Sequence, residues 1–314
     1  MASPLLNRVT ARLAATRVSP GPSATSEAAR AERGRASPRR WAVWGALCGA
    51  VLAMPAFAPA AWLADWLQGV SGGRLLLADA RGSLWSGSAV AVLGGGAGSQ
   101  EARALPGRLQ WSLRPGVEAG GPALVLRMAQ ACCLNGSPSL ILRPGFGTLK
   151  ISLSAEPGGT RTGTDLTAPL AREIGHWPAG WLTGLGTPWN TLQLGGVLRL
   201  ATAGVAMEWV QGRWRVEGSA ALELQDASSR VATLPRLGSY RLELGSDPAN
   251  PGAAALQLQT LNGALRLSGS GSLTPGGWRF RGEATAQEAQ QPALANLLNI
   301  IGRREGARSV IAIG

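Results

Sequence analysis

The feature that most constrains this chain is a period of two. In GRLQWSL (107–113) Leu109, Trp111 and Leu113 fall on one side, with Arg108, Gln110 and Ser112 on the other. Successive side chains alternate in this way only along a β-strand, and one polar face is the habit of antiparallel sheets with water on one side. Leu149, Ile151 and Leu153 repeat the pattern. So do Tyr240, Leu242 and Leu244 against Arg241 and Glu243, and Trp278 and Phe280 against Arg279, Arg281 and Glu283. The 44 Gly and 20 Pro supply turns between many short strands. The expectation is a mainly β chain built on antiparallel sheet.

Two segments depart from that period. In HWPAGWLTGLGTPWN (176–190) Trp177, Trp181 and Leu185 have roughly helical spacing, which predicts a short helix capping the sheet and a turn at Thr187-Pro188. In QPALANLLNIIG (291–302) Pro292 suits a helix start, Leu294, Leu297, Leu298 and Ile301 form one apolar stripe, and Gly302 ends it. That stripe predicts a helix laid over a sheet face. SVIAIG then reads as a last strand.

A degenerate repeat runs through the strands. GRLLLA precedes LWSGSA, GVLRLA precedes RWRVEGSA, and GALRLSG precedes FRGEA, each an apolar strand followed by an aromatic, a Gly and a small residue. LPGRLQW and LPRLGSY follow the first two. Two similar β-halves, 70–165 and 190–286, are expected, joined through the tryptophan-rich segment.

The amino-terminal part has a different logic. Residues 1–40 hold eight Arg and two Glu among Ala, Ser and Pro, a composition that cannot bury a core. Residues 41–64 carry no charge, with Trp41 and Trp44 at one end and Trp62 and Trp66 near the other. This reads as a disordered cytoplasmic tail (1–40), a single transmembrane helix (41–64) and a periplasmic β-domain (65–314), oriented by the positive-inside rule. Pro55 and Pro59 would kink the outer end of the span. Ala56-Phe57-Ala58 fits a signal-peptidase site, but an uncleaved anchor is the expectation. The Arg-rich tail leaves nucleic-acid binding as a competing reading, since blocks of like charge bind polyanions.

Catalytic material is scarce. There is 1 His, and Asp plus Glu number 18. Gly269-Ser270-Gly271 within LQTLNGALRLSGSG (258–271) suggests a nucleotide loop, yet the third glycine position of a dinucleotide fingerprint is occupied by Thr274 and the flanks read as strands. No catalytic residue, metal site or cofactor is expected. Asn262-Gly263 reads as a tight hairpin turn, with Leu265 and Leu267 toward the core and the two later glycines allowing a bend or bulge. Cys132 and Cys133 are either a redox or intermolecular disulfide pair or two small residues in or beside a strand. Trp181 and Trp189, in a segment punctuated by Gly and Pro, are the candidate partner contacts.

Taken together and in order, RGSLWSG (81–87), LPGRLQW (105–111), WLTGLGTPWNTLQLGGVLRL (181–200), LPRLGSYRLEL (234–244), LQTLNGALRLSGSG (258–271) and GWRFRGEATA followed by LANLLNIIGRREG resemble the protein N family of the bacterial type II secretion system. The resemblance covers about residues 45–310. It implies a bitopic, non-enzymatic inner-membrane component of the machine that exports folded proteins across the outer membrane. Its partners would be other secretion subunits, in the inner-membrane platform or the secretin, and the lipid bilayer, with no nucleic acid and no small-molecule substrate. The tail is longer than such proteins usually carry. A competing class is a membrane-anchored periplasmic β-protein that binds or bridges lipid through an apolar groove.

Overall fold

The computed structural model describes residues 40–313 apart from 52, 119–120, 156–170, 211, 248–253 and 275–276. The Arg-rich residues 1–39 lie outside this set. The chain forms two compact units, Met1–Ala56 and Phe57–Gly314. In the first, residues 40–51 and 53–56 are helical. No helix among the described residues is long and apolar enough to cross a membrane. The uncharged run 41–64 is not the single helix expected of it. Pro59, which has no amide hydrogen and sits in extended backbone, ends the run's first part and precedes a new helix, α1 (Ala60–Val70), that belongs to the second unit.

After α1 come β1 (Leu75–Gly82), β2 (Ser86–Gly94), β3 (Ala102–Ala104), β4 (Leu109–Glu118), β5 (Gly121–Ala129), β6 (Ser139–Gly145) and β7 (Thr148–Ser154). Then β8 (Arg172–Pro178) leads into a 3-10 segment, Ala179–Leu185, and a single helical turn, α2 (Trp189–Leu192). The strands resume with β9 (Leu194–Thr202), β10 (Val205–Val210), β11 (Arg213–Glu217), β12 (Ser219–Ser229), β13 (Gly238–Ser246), β14 (Ala254–Gly263), β15 (Leu265–Thr274) and β16 (Gly277–Ala286). The chain closes with α3 (Gln291–Ile301), β17 (Arg303–Glu305) and β18 (Arg308–Ile313).

These strands make two antiparallel sheets. The first has the order β1-β2-β4-β5-β6-β7-β10-β11, with β3 also on β2; the second has the order β17-β18-β16-β15-β14-β13-β12-β9-β8. The first and third repeats fall on neighbouring antiparallel pairs, β1 with β2 and β15 with β16; in the second GVLRLA lies on β9, but RWRVEGSA runs along β11 and only its Ser219 and Ala220 reach β12, the strand that pairs with β9. Between β9 and β12 the hairpin β10–β11 is inserted in sequence but leaves the sheet, pairing Val205–Val210 with Thr148–Leu153. The sheets therefore do not share the bounds of the halves 70–165 and 190–286.

The main core lies on the second sheet. The stripe of α3 delivers Leu294, Leu297 and Leu298, all fully buried, against Leu265, Ala284, Tyr240 and Leu192, with Ile301 packed beside them. Each such leucine contributes about 1.5–3 kcal/mol on leaving water. The Tyr240 hydroxyl donates to the Leu265 carbonyl at 3.0 Å, and burial pushes its pKa well above the ordinary tyrosine value.

The stretch around Gly269 is strand β15, not a phosphate loop. Gly269 lies opposite Gly282 and Gly271 opposite Phe280, in unbroken register, so the anticipated bulge is not there. The glycines have a different use. A Cβ on Gly269 would stand 2.5 Å from Cζ of Phe280, and one on Gly282 would stand 3.0 Å from its Cε1, so the bare backbone is a bed for the ring. Gly263 takes a positive φ of 125°, but Asn262 does not, and the pair is not the two-residue positive-φ turn. Gly263 instead pairs with Gly238 of β13, an approach too close for a Cβ.

Candidate functional site

The tryptophan segment is a joint between elements of both sheets. Its 3-10 part packs on β2 and β3 of the first sheet and on β9 of the second. The Trp181 indole N–H donates to the Arg103 carbonyl at 2.8 Å, and its ring joins Trp177 against Ala91, Leu105 and Cys133. Gly184 meets the backbone of Leu93 and Arg103 so closely that only glycine fits. On the following turn Asn190 donates from Nδ2 to Glu101 at 2.7 Å. Trp189 opens α2 and is half-buried, as Trp181 is. The expected helix over 176–190 is thus realised as a strand end, a 3-10 segment and one α turn, with the Thr187-Pro188 bond cis at the bend. Trp177 sits on β8 and not on the helix because Pro178 closes the strand directly after it.

A disulfide joins Cys132 to Cys133 in the turn between β5 and β6. The flanking backbone runs beside β8: His176 donates its amide to the Cys133 carbonyl at 2.8 Å, and Asn135 donates to Ile174 at 2.9 Å. This turn covers the outer edge of β8, an edge that would otherwise present unpaired backbone groups. His176 Nδ1 lies 3.6 Å from the Glu173 carboxylate. Among the described residues no three or more His, Cys, Asp and Glu side chains gather as a metal site would require.

The least expected feature is a sheet face. On the first sheet Leu113, Leu124 and Leu126, Leu140 and Leu142, Leu149 and Ile151, and Met207 occupy one face across five strands, as their cross-strand pairings require. This face is covered at its two ends. At one, Ala60 and Leu63 of α1 pack with Trp111, Ala89 and Leu126; at the other, Val205 and Val216 pack with Ala254, Ala220 and Leu244 from the second sheet. Between them Leu113, Leu124, Leu140, Leu142, Leu149 and Ile151 belong to none of the buried clusters. Along β6 and β7 both faces are half-buried, although the sequence alternates. A face packed on a core would show burial alternating with the residues. The period-two pattern marked this face only on β4 and β7, and periodicity alone does not show what covers it.

Polar contacts hold the opposite face and the strand ends. Asp79, in a bulge of β1 at φ 50°, accepts from Arg108 at 2.6 Å and pairs with Arg81 at 3.0 Å. Arg108, first and foremost, and Arg81 lower the Asp79 pKa below the usual carboxylate value. Lys150 reaches across β10 to Glu217 of β11 at 2.7 Å and lowers the pKa of that carboxyl. These are structural ties between strands.

Compared with known protein families, the chain matches over residues 73–311 the family described as type II secretion system (T2SS), protein N. No curated protein and no solved structure matches it.

Proposed function

Since the chain belongs to the type II secretion system protein N family, we propose that it serves the secretion machine as a non-enzymatic subunit, held at the inner membrane by the uncharged stretch that begins at Trp41, with its β-domain in the periplasm. Family membership carries the general part, a component of type II secretion that works with other subunits of that system. The half-buried apolar face of β4–β7 supports the finer part. Six aliphatic side chains on one sheet face, outside every buried cluster, are the kind of surface that a partner completes. Trp189, half-buried beside that joint between the sheets, is a second contact, while Trp181 acts mainly by fixing the segment that presents it.

Affinity purification of the full chain from membranes tests the reading. The wild type brings down platform or secretin subunits, and Leu142→Asn with Ile151→Asn reduces that recovery severalfold while the purified domain still melts cooperatively. Unchanged recovery removes the face as the contact, and Trp189→Ala then separates the remaining route.

The same face favours one second reading, occupancy by lipid acyl chains. Native mass spectrometry after mild extraction decides it: bound phospholipid in the wild type that disappears in the double variant assigns the face to lipid, whereas a clean apo mass assigns it to protein.

A further inference from the structure

Helix α1, AAWLADWLQGV, has two apolar faces where a surface helix needs one. Its first face is spent on the sheet: Ala60 is buried, Leu63, Ala64 and Leu67 are half-buried, and the surroundings are Leu77, Ala80, Ala89 and Trp111. At 100° per residue Trp62, Trp66 and Val70 lie one above another on a separate flank. They are 53, 62 and 68% exposed, and Phe57, just before the helix, is 84% exposed. Asp65 and Gln68, on the remaining flank, face water.

We propose that α1 lies in the surface layer of the bilayer, with Trp62, Trp66 and Val70 among the lipid headgroups and upper acyl chains while its other face carries the first sheet. This rests on the membrane-anchor reading above and goes beyond it, because an anchor tethers the domain whereas a seated helix fixes its orientation. Three observations choose lipid over protein as the occupant. The helix takes its first five residues from the uncharged run, whose first following charge is Asp65, so it lies in sequence where that run ends. The exposed side chains are chiefly tryptophan, whose ring is amphipathic and prefers the headgroup level. The stripe is also one helix wide and spans only three residues, far below the roughly 800 Å² per partner of a stable protein interface.

The test uses the full chain in vesicles of phosphatidylethanolamine and phosphatidylglycerol. Cys48→Ser removes the free thiol. Trp62→Cys, Trp66→Cys, Gln68→Cys and, as a report on the anchor, Leu47→Cys are labelled one at a time with an environment-sensitive fluorophore. Brominated phospholipid is then added as a depth-dependent quencher. Seating predicts strong quenching at 62 and 66 and almost none at 68, which lies more than 100° around the helix from both, on the polar flank. Quenching at 47 with positions 62 and 66 as unquenched as 68 overturns the seat and leaves the anchor standing. No quenching at 47 with strong quenching at 66 overturns the anchor and keeps the seat as a peripheral contact. Because all the labelled α1 positions are exposed, each variant keeps its packing, checked by an unchanged melting temperature.

Discussion

The two sheets carry the same kind of apolar face and treat it in opposite ways. On the second, α3 lies over the leucines of β15 and the alanines of β16, and the covering side chains Leu294, Leu297 and Leu298 are fully buried. On the first, leucines of equal size in β5, β6 and β7 stay half-buried: α1 packs mainly on β1 and β2 and touches this face at Trp111 and Leu126, while α3 packs on the second sheet. A face is finished inside the chain where a helix follows in sequence and can fold back over it. Where no helix does so among the described residues, the face is left for something else. The second sheet thus holds the fully buried core, while the first carries half-buried leucines.

The largest effect that would break this contrast is a pair of identical truncations. Leu298→Ala removes a fully buried side chain from beneath the helix and should cost about 3–4 kcal/mol, the range for a core leucine whose site collapses only in part. Leu142→Ala, on the half-buried face, should cost about 1 kcal/mol or less in the isolated protein. Denaturant midpoints of the two variants, at equal slope, read the difference directly. Equal losses would mean that the first face is covered after all and would remove its claim as a contact surface.

A smaller effect probes how the covering helix is held. Leaving a helix, the last four carbonyls have no partner within it. Gly302 continues from α3 in extended backbone instead of a left-handed cap. Ser309 on β18, completely buried, donates from Oγ to the Leu298 carbonyl at 2.6 Å. Ser309→Ala removes this buried hydrogen bond and should cost about 1 kcal/mol. Hydrogen exchange should show the loss concentrated in α3, with the amides of β5–β7 unchanged.

Much of this was legible in the residues and some was not, for separable reasons. The α3 stripe and the strands around Leu109, Leu149, Tyr240 and Phe280 are set by local periodicity, and the structure has them where the pattern put them. Pro55 and Pro59 were signs that the uncharged run is interrupted. Hydropathy averages over such a residue, however, and so Trp62 and Trp66 read as the edge of a span when they lie on a helix packed against a sheet. Asn262-Gly263 carried a turn signal, but the glycine is required by a neighbour, Gly238, 25 positions away, which no local rule can see. The fate of the β10–β11 hairpin has the same character. Its strands are evident, while the sheet they join depends on Thr148–Leu153, more than 50 residues upstream.

The smallest expected effect concerns the bulges on which each sheet turns, and it separates shape from charge. Asp79 on β1 and Asp226 on β12 both adopt φ 50°, and each faces an Arg that follows a Leu-Pro: Arg108 at 2.6 Å and Arg236 at 3.4 Å. Asparagine tolerates the left-handed region as well as aspartate does, so Asp79→Asn keeps the bend and removes only the charge. The folded pKa of Asp79 lies below its unfolded value. Its contribution is therefore present above about pH 4, the unfolded carboxylate value, and is lost as pH falls through the lower folded pKa. Asp79→Asn should remove that part of the acid limb, making the wild type and variant converge in stability at low pH and differ slightly at neutral pH. The carboxylate is solvent-exposed, so salt should shrink the difference further. Asp226→Asn, with its longer ion pair at 3.4 Å, is the control and should change less; no change at either site would mean that the bulges are held by backbone geometry and not by the arginines.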